Sequence, residues 1–67
     1  MNIDKMRQSI IDYCGNDVFD SSYLIDKFGS NNQLLQATVY NMYIKRELIK
    51  KSDGFMWLDK TKIKELQ

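Results

Sequence analysis

The sequence has no histidine, no proline, one cysteine and three glycines in 67 residues. Each scarcity narrows what the chain can do. Without histidine, the commonest general acid–base side chain is missing. One cysteine and no histidine also fall short of the ligand set of a structural zinc site. The three glycines stand apart, at Gly15, Gly29 and Gly54, so no glycine-rich loop is available to cradle a phosphate. The carboxylates are accounted for as helix caps and surface charge. No enzyme, no cofactor and no small-molecule substrate is expected. Cys14 has no partner for an internal disulfide, which fits a reducing compartment. No apolar run approaches the roughly 18 residues of a membrane helix, and the N-terminus lacks the apolar stretch of a signal peptide. An intracellular, cytoplasmic protein with no membrane partner is expected. No linker or internal repeat is visible, so residues 1–67 are read as one domain. A domain this short buries only roughly 60% of its unfolded surface and needs most of its large apolar side chains for its core.

What is present is an uneven distribution of charge. The net charge is only +1, low for a strong nucleic-acid binder. Residues 1–31 set Lys5, Arg7 and Lys27 against Asp4, Asp12, Asp17, Asp20 and Asp26, a net of −2. From position 45 onward, Lys45, Arg46, Lys50, Lys51, Lys60, Lys62 and Lys64 stand against Glu47, Asp53, Asp59 and Glu65, a net of +3. The C-terminal third is therefore suited to face an anion, or is simply a solvated, lysine-rich surface.

The pattern of apolar residues predicts three helices. Asn2 caps a first helix over about 3–14, with Ile3, Met6, Ile10, Tyr13 and Cys14 at helical spacing and Gly15-Asn16 as its stop. Cys14 lies on the apolar stripe and reads as a buried, inert thiol. Val18 and Phe19 form a short extended segment. Asp20 then caps a second helix over about 21–28, with Phe19 and Leu24 at the spacing of a hydrophobic staple. This helix is expected to bury Leu24, Ile25 and Phe28 and to end at Gly29. Ser30, with Gln33 three residues later, reads as a capping box for a third helix over about 31–46. Its inner stripe is Leu35, Thr38, Val39 and Met42, with Leu34 beside it; Tyr43 and Ile44 flank the stripes unassigned. Leu48 to about Asp59 reads as a hairpin. Asp53-Gly54 suits a two-residue type I′ turn, which would pair Ile49 with Leu58, Lys50 with Trp57, Lys51 with Met56 and Ser52 with Phe55; a three-residue loop would shift that pairing. In the two-residue register Lys50 faces Trp57 as a cation–π pair worth about 0.5–1 kcal/mol. Residues 60–67 are a short tail, read as a final half-helix or a frayed end.

Helix, extended segment, helix, glycine turn, helix and hairpin together resemble the winged helix-turn-helix family over about residues 3–60. Leu24, Ile25, Phe28, Gly29, Leu35 and Thr38 fall where that family places its turn glycine and flanking apolar residues. Ile25 departs from the pattern, since many such units carry a small residue there. The acidic Asp53 departs as well, since DNA-binding wings often carry basic residues at the turn. The fold class expected is mainly α with a C-terminal β-hairpin: three helices plus a wing. Proteins of this size and layout resemble compact regulators of bacteria, plasmids and phages.

What the resemblance implies is double-stranded DNA binding by a small transcriptional or replication regulator. In the family's docking, outward residues of the third helix meet base edges. Here those are Asn32, Gln33, Gln36, Ala37, Tyr40 and Asn41. Asn and Gln amides pair bidentately with adenine, and an alanine methyl can touch thymine. Lys45, Arg46, Lys50, Lys51 and Lys60 are the candidates for phosphate contacts. The plainer alternatives are polar surface residues and solubilising lysines. Trp57, Tyr40, Tyr43 and Phe55 are either packing aromatics or, if Phe55 and Trp57 stand exposed, a protein-binding or dimer surface. Ile63 and Leu66 either serve a homodimer or cover the core. The alternative function is a winged-helix module or phage-type inhibitor that binds a protein partner.

Overall fold

The computed structural model describes residues 2–67. Three helices, α1 (Ile3–Cys14), α2 (Ser21–Phe28) and α3 (Gln33–Ile44), precede an antiparallel hairpin of β1 (Leu48–Lys50) and β2 (Met56–Leu58). One 3-10 turn, Lys64–Leu66, follows. Among the described residues, no helix is long and apolar enough to cross a membrane.

The first two helices begin and end where short-range chemistry dictates. The Asn2 side chain accepts a hydrogen bond from the Lys5 N–H, and the Asp20 side chain does the same for Tyr23, each satisfying a donor that the first helical turn leaves open. Gly15 and Gly29 end the helices at positive φ, where a Cβ would be strained.

The third helix departs from expectation at both ends. It starts at Gln33, because Asn32 and not Ser30 is the N-cap. Asn32 Oδ1 accepts from the Leu35 N–H at 2.9 Å while its Nδ2 donates to the Phe28 carbonyl at 2.9 Å. One side chain thus opens α3 and closes α2. The helix ends at Ile44. Arg46 follows at φ 63, its N–H donating to Tyr43 and the Glu47 N–H to Met42. This is a Schellman ending with arginine at the position that usually holds glycine.

The hairpin register also differs by one residue. Leu48 pairs with Leu58, Ile49 with Trp57 and Lys50 with Met56. Ser52, Asp53 and Gly54 form a three-residue loop, closed by the Lys51 N–H to the Phe55 carbonyl at 2.8 Å and the Gly54 N–H to the Lys51 carbonyl at 3.1 Å. Gly54 takes the positive-φ place that such loops require. The reason is burial: this register puts Leu48, Met56 and Leu58 inside together, whereas the two-residue turn would set Ile49 opposite Leu58 and turn Leu48 to the other face. Phe19 adds a single bridge to Met56, with N–H to carbonyl bonds of 2.9 and 2.8 Å. β2 therefore lies between β1 and the segment leading into α2.

The core gathers Met6, Ile10, Ile11 and Cys14 of α1, Phe19, Leu24, Leu35, Met42 and the three inner hairpin residues. Thr38 is fully buried among them and donates its hydroxyl to the Leu34 carbonyl at 2.7 Å, so no polar atom is stranded. Ile63 is 0% exposed, and Leu66 packs half-buried on the core. The tail is thus part of the core, and Ile63 is removed as a dimer contact. α1 packs on α3, and α3 packs on β1. α2 is attached to α1 through aromatic rings: Tyr13 stacks on Tyr23 at 4.4 Å and meets Phe28 edge-on at 5.8 Å. Ile25 is 40% exposed rather than buried. It lines a cleft of about 320 Å³ between α2, α3 and the hairpin, together with Leu35, Gln36, Val39, Tyr40 and Lys50.

Candidate nucleic-acid interface

α3 presents one face to the core and one outward. Gln33, Gln36 and Ala37 are exposed, and Tyr40 is 66% exposed. Positions 33, 36, 37 and 40 are one turn apart in steps of three and four, so they share a single stripe. Two of the expected base-reading residues do not stand with them. Asn32 has both ends of its amide engaged by the turn, and Asn41 is half-buried. The outward face continues through Tyr43 and Ile44, both exposed, which periodicity left unassigned. α3 carries no charged residue from Gln33 to Ile44.

The cations collect at the junction of α3 and the hairpin. Lys45, Arg46, Lys50, Lys51 and Lys60 are all exposed. Among the described residues, none of the five forms an ion pair; only Arg7 does. Arg46 and Lys50 line a shallow groove with Tyr43 and Ile44. Lys50 Nζ lies 5.1 Å over the Tyr43 ring and also borders the cleft that holds Gln36 and Tyr40. Lys51, not Lys50, sits over Trp57, at 5.3 Å, because the one-residue shift in register puts Lys51 on the Trp57 face. Lys60 lines a separate groove with Asn16, Trp57 and Thr61 and shares no pocket lining with Arg46 or Lys50. Of the residues considered for a protein interface, Phe55 is exposed, Trp57 is half-covered, and Ile63 is in the core.

A second charged group, invisible in the linear pattern, lies elsewhere. Arg7 Nε and Nη2 donate to the two carboxylate oxygens of Glu47 at 2.9 and 2.7 Å, and Nη1 donates to Glu65 at 3.1 Å. The two-pronged contact with Arg7 holds the Glu47 carboxyl below its usual range, and the same bonds raise Arg7. Arg7 is thereby neutralised and not free for a phosphate. The sequence held no local signal for this group, since positions 7, 47 and 65 are far apart. Asp59 is likewise committed, its carboxylate held low by hydrogen bonds from the Thr61 hydroxyl and N–H. Burial, and then the Asp17 carboxylate, push the Cys14 thiol up to about 12, which leaves it protonated and unreactive. Among the described residues, no three His, Cys, Asp or Glu side chains gather where they could hold a metal ion.

The arrangement suits the binding of a polyanion beside a helix that carries neutral hydrogen-bonding groups. Comparison of the chain with protein-family models, with curated proteins and with solved structures returns no match.

Proposed function

We propose that the chain is a small winged helix-turn-helix protein that binds double-stranded DNA and regulates transcription or replication. α3 lies in the major groove, and the hairpin, as the wing, lies along the phosphate backbone. The observation that carries this reading is the set of unpaired cations around an uncharged, amide-bearing helix face: Lys50 beside Gln36 and Tyr40, Arg46 beside Tyr43, and Lys45 and Lys51 adjacent in sequence. Neutral amides suit base edges, and free cations suit phosphates. The Phe19–Met56 bridge supports the winged-helix assignment, because it ties the extended segment before the second helix to the hairpin. Affinity from a few cations is modest, so a homodimer or a second DNA-bound protein is expected to assist.

A second reading has its own observation. Ile25, Tyr40, Tyr43 and Ile44 are all exposed around the cleft and the groove, an apolar surface that also suits a protein partner.

The test is fluorescence anisotropy with random-sequence duplex DNA at two salt concentrations. It compares the native chain with a variant in which Lys45, Arg46, Lys50 and Lys51 are alanine. Binding should weaken with salt, and the variant should lower the slope of log K against log salt by about 3–4. Its melting temperature should barely move, since exposed, unpaired lysines contribute little to stability. No binding at low salt, with the fold intact, overturns the DNA reading in favour of the protein partner.

A further inference from the structure

We infer that the α3 face reads A·T base pairs through their major-groove edges, with Gln33, Gln36, Ala37 and Tyr40 as the reading set. The inference rests on the DNA reading above and goes beyond it by naming the kind of site.

It follows from what the stripe contains and what it lacks. The commonest specific contact to guanine is a bidentate arginine or lysine on O6 and N7, and cytosine's amino group is met by a carboxylate. α3 offers neither along its twelve residues. The cations Lys45 and Arg46 begin beyond its last turn. A recognition helix meets the bases mainly with its N-terminal half, which places that end by the backbone. What the stripe does offer is two exposed glutamine amides, one turn apart, and beside them the Ala37 methyl and the Tyr40 ring. A glutamine amide pairs with N6 and N7 of adenine, and a methyl or ring packs on the thymine methyl. Of the two that would have widened the set, Asn32 is taken up by the turn and Asn41 is half-buried. The remaining four residues match adenine on one strand and thymine on the other.

The experiment selects sites from a randomised duplex pool and then measures binding of the full chain to four duplexes at one salt concentration. These are A·T-rich, G·C-rich, inosine·cytosine and diaminopurine·thymine. Inosine·cytosine keeps the major-groove edge of G·C without its minor-groove amino group; diaminopurine·thymine keeps the major-groove edge of A·T and adds one. The expected result is selection of A·T-rich sites and binding to A·T about tenfold or more tighter than to G·C. Diaminopurine·thymine should behave as A·T, and inosine·cytosine as G·C. A Gln33→Ala, Gln36→Ala variant, checked for an unchanged melting curve, should lose the preference and keep the salt-sensitive binding. Selection of G·C pairs, a preference that follows the minor-groove amino group, or a preference that survives in the double variant would overturn the inference. Equal, salt-sensitive binding to all four duplexes would overturn it and leave the DNA reading standing. No binding to any would overturn both.

Discussion

The two sides of this molecule treat charge in opposite ways. Where α1 meets the turn after α3 and the C-terminal 3-10 turn, Arg7 is held by both Glu47 and Glu65, and Ile63 seals the core beside the last turn. Where α3 meets the hairpin, Lys45, Arg46, Lys50 and Lys51 have no ion-pair partner among the described residues, and Tyr40, Tyr43 and Ile44 lie open. Charges on the first side satisfy one another and hold distant segments together. Charges on the second side form no ion pair among the described residues. Arginine content or net charge alone would have missed this: a total of +1 conceals a face whose cations, among the described residues, form no ion pair.

The sharpest way to break the comparison is to damage the first side and ask whether the second survives. Ile63→Ala removes a fully buried side chain and should cost about 2–5 kcal/mol. In a domain this small that is a large share of the total, so urea or thermal melts should show a largely unfolded variant. An equivalent truncation of Ile44, which is 58% exposed, should cost far less. Equal losses would mean that the two sides are not distinct.

A smaller effect is expected from Arg7→Met. The Glu47 side chain is only 12% exposed, and without Arg7 it would be left with no partner, at about 1–3 kcal/mol. The pH dependence sharpens this. Glu47 is depressed when folded, so its contribution is fully present above the unfolded value of about 4.3 and is lost as pH falls through the lower folded value. Arg7 stays charged throughout. Native stability should therefore drop below about pH 4, and the Arg7→Met variant should lack that component of the drop. Parallel pH profiles for the two proteins would count against the pair.

The smallest effect joins both sides. Arg46 adopts a left-handed conformation that costs a non-glycine residue about 1 kcal/mol. Arg46→Gly should raise stability by about 0.5–1 kcal/mol while weakening salt-sensitive DNA binding. A variant that is both less stable and unchanged in binding would remove Arg46 from the proposed site and the strain from its backbone.

How much of this was legible in the sequence depends on how far apart the cooperating residues lie. α1 and α2 were readable to the residue because Asn2, Gly15, Asp20 and Gly29 act within one turn of their own positions. The start of α3 was not, because Ser30 and Asn32 both qualify as caps and the choice was made by a contact back to Phe28. The hairpin was visible, but its register was decided by which residues the core could bury, not by Asp53-Gly54 alone. The outward stripe of Gln33, Gln36, Ala37 and Tyr40 was legible as a helical face. The burial of Ile63, the grip of Glu47 and Glu65 on Arg7, and the Tyr13–Tyr23–Phe28 cluster rest on contacts between elements, and no periodicity encodes them.

The bridge between Phe19 and Met56 bears finally on how the chain is made. Its two residues are 37 positions apart, and Ile63, which fills the core, comes later still. During synthesis the helices emerge first, each too short to be stable alone and with nothing to complete the sheet. The segment before α2 has no strand to join until β2 has left the ribosome, and the core stays open until Ile63 follows. The fold of this domain is therefore not complete until its last third has been made.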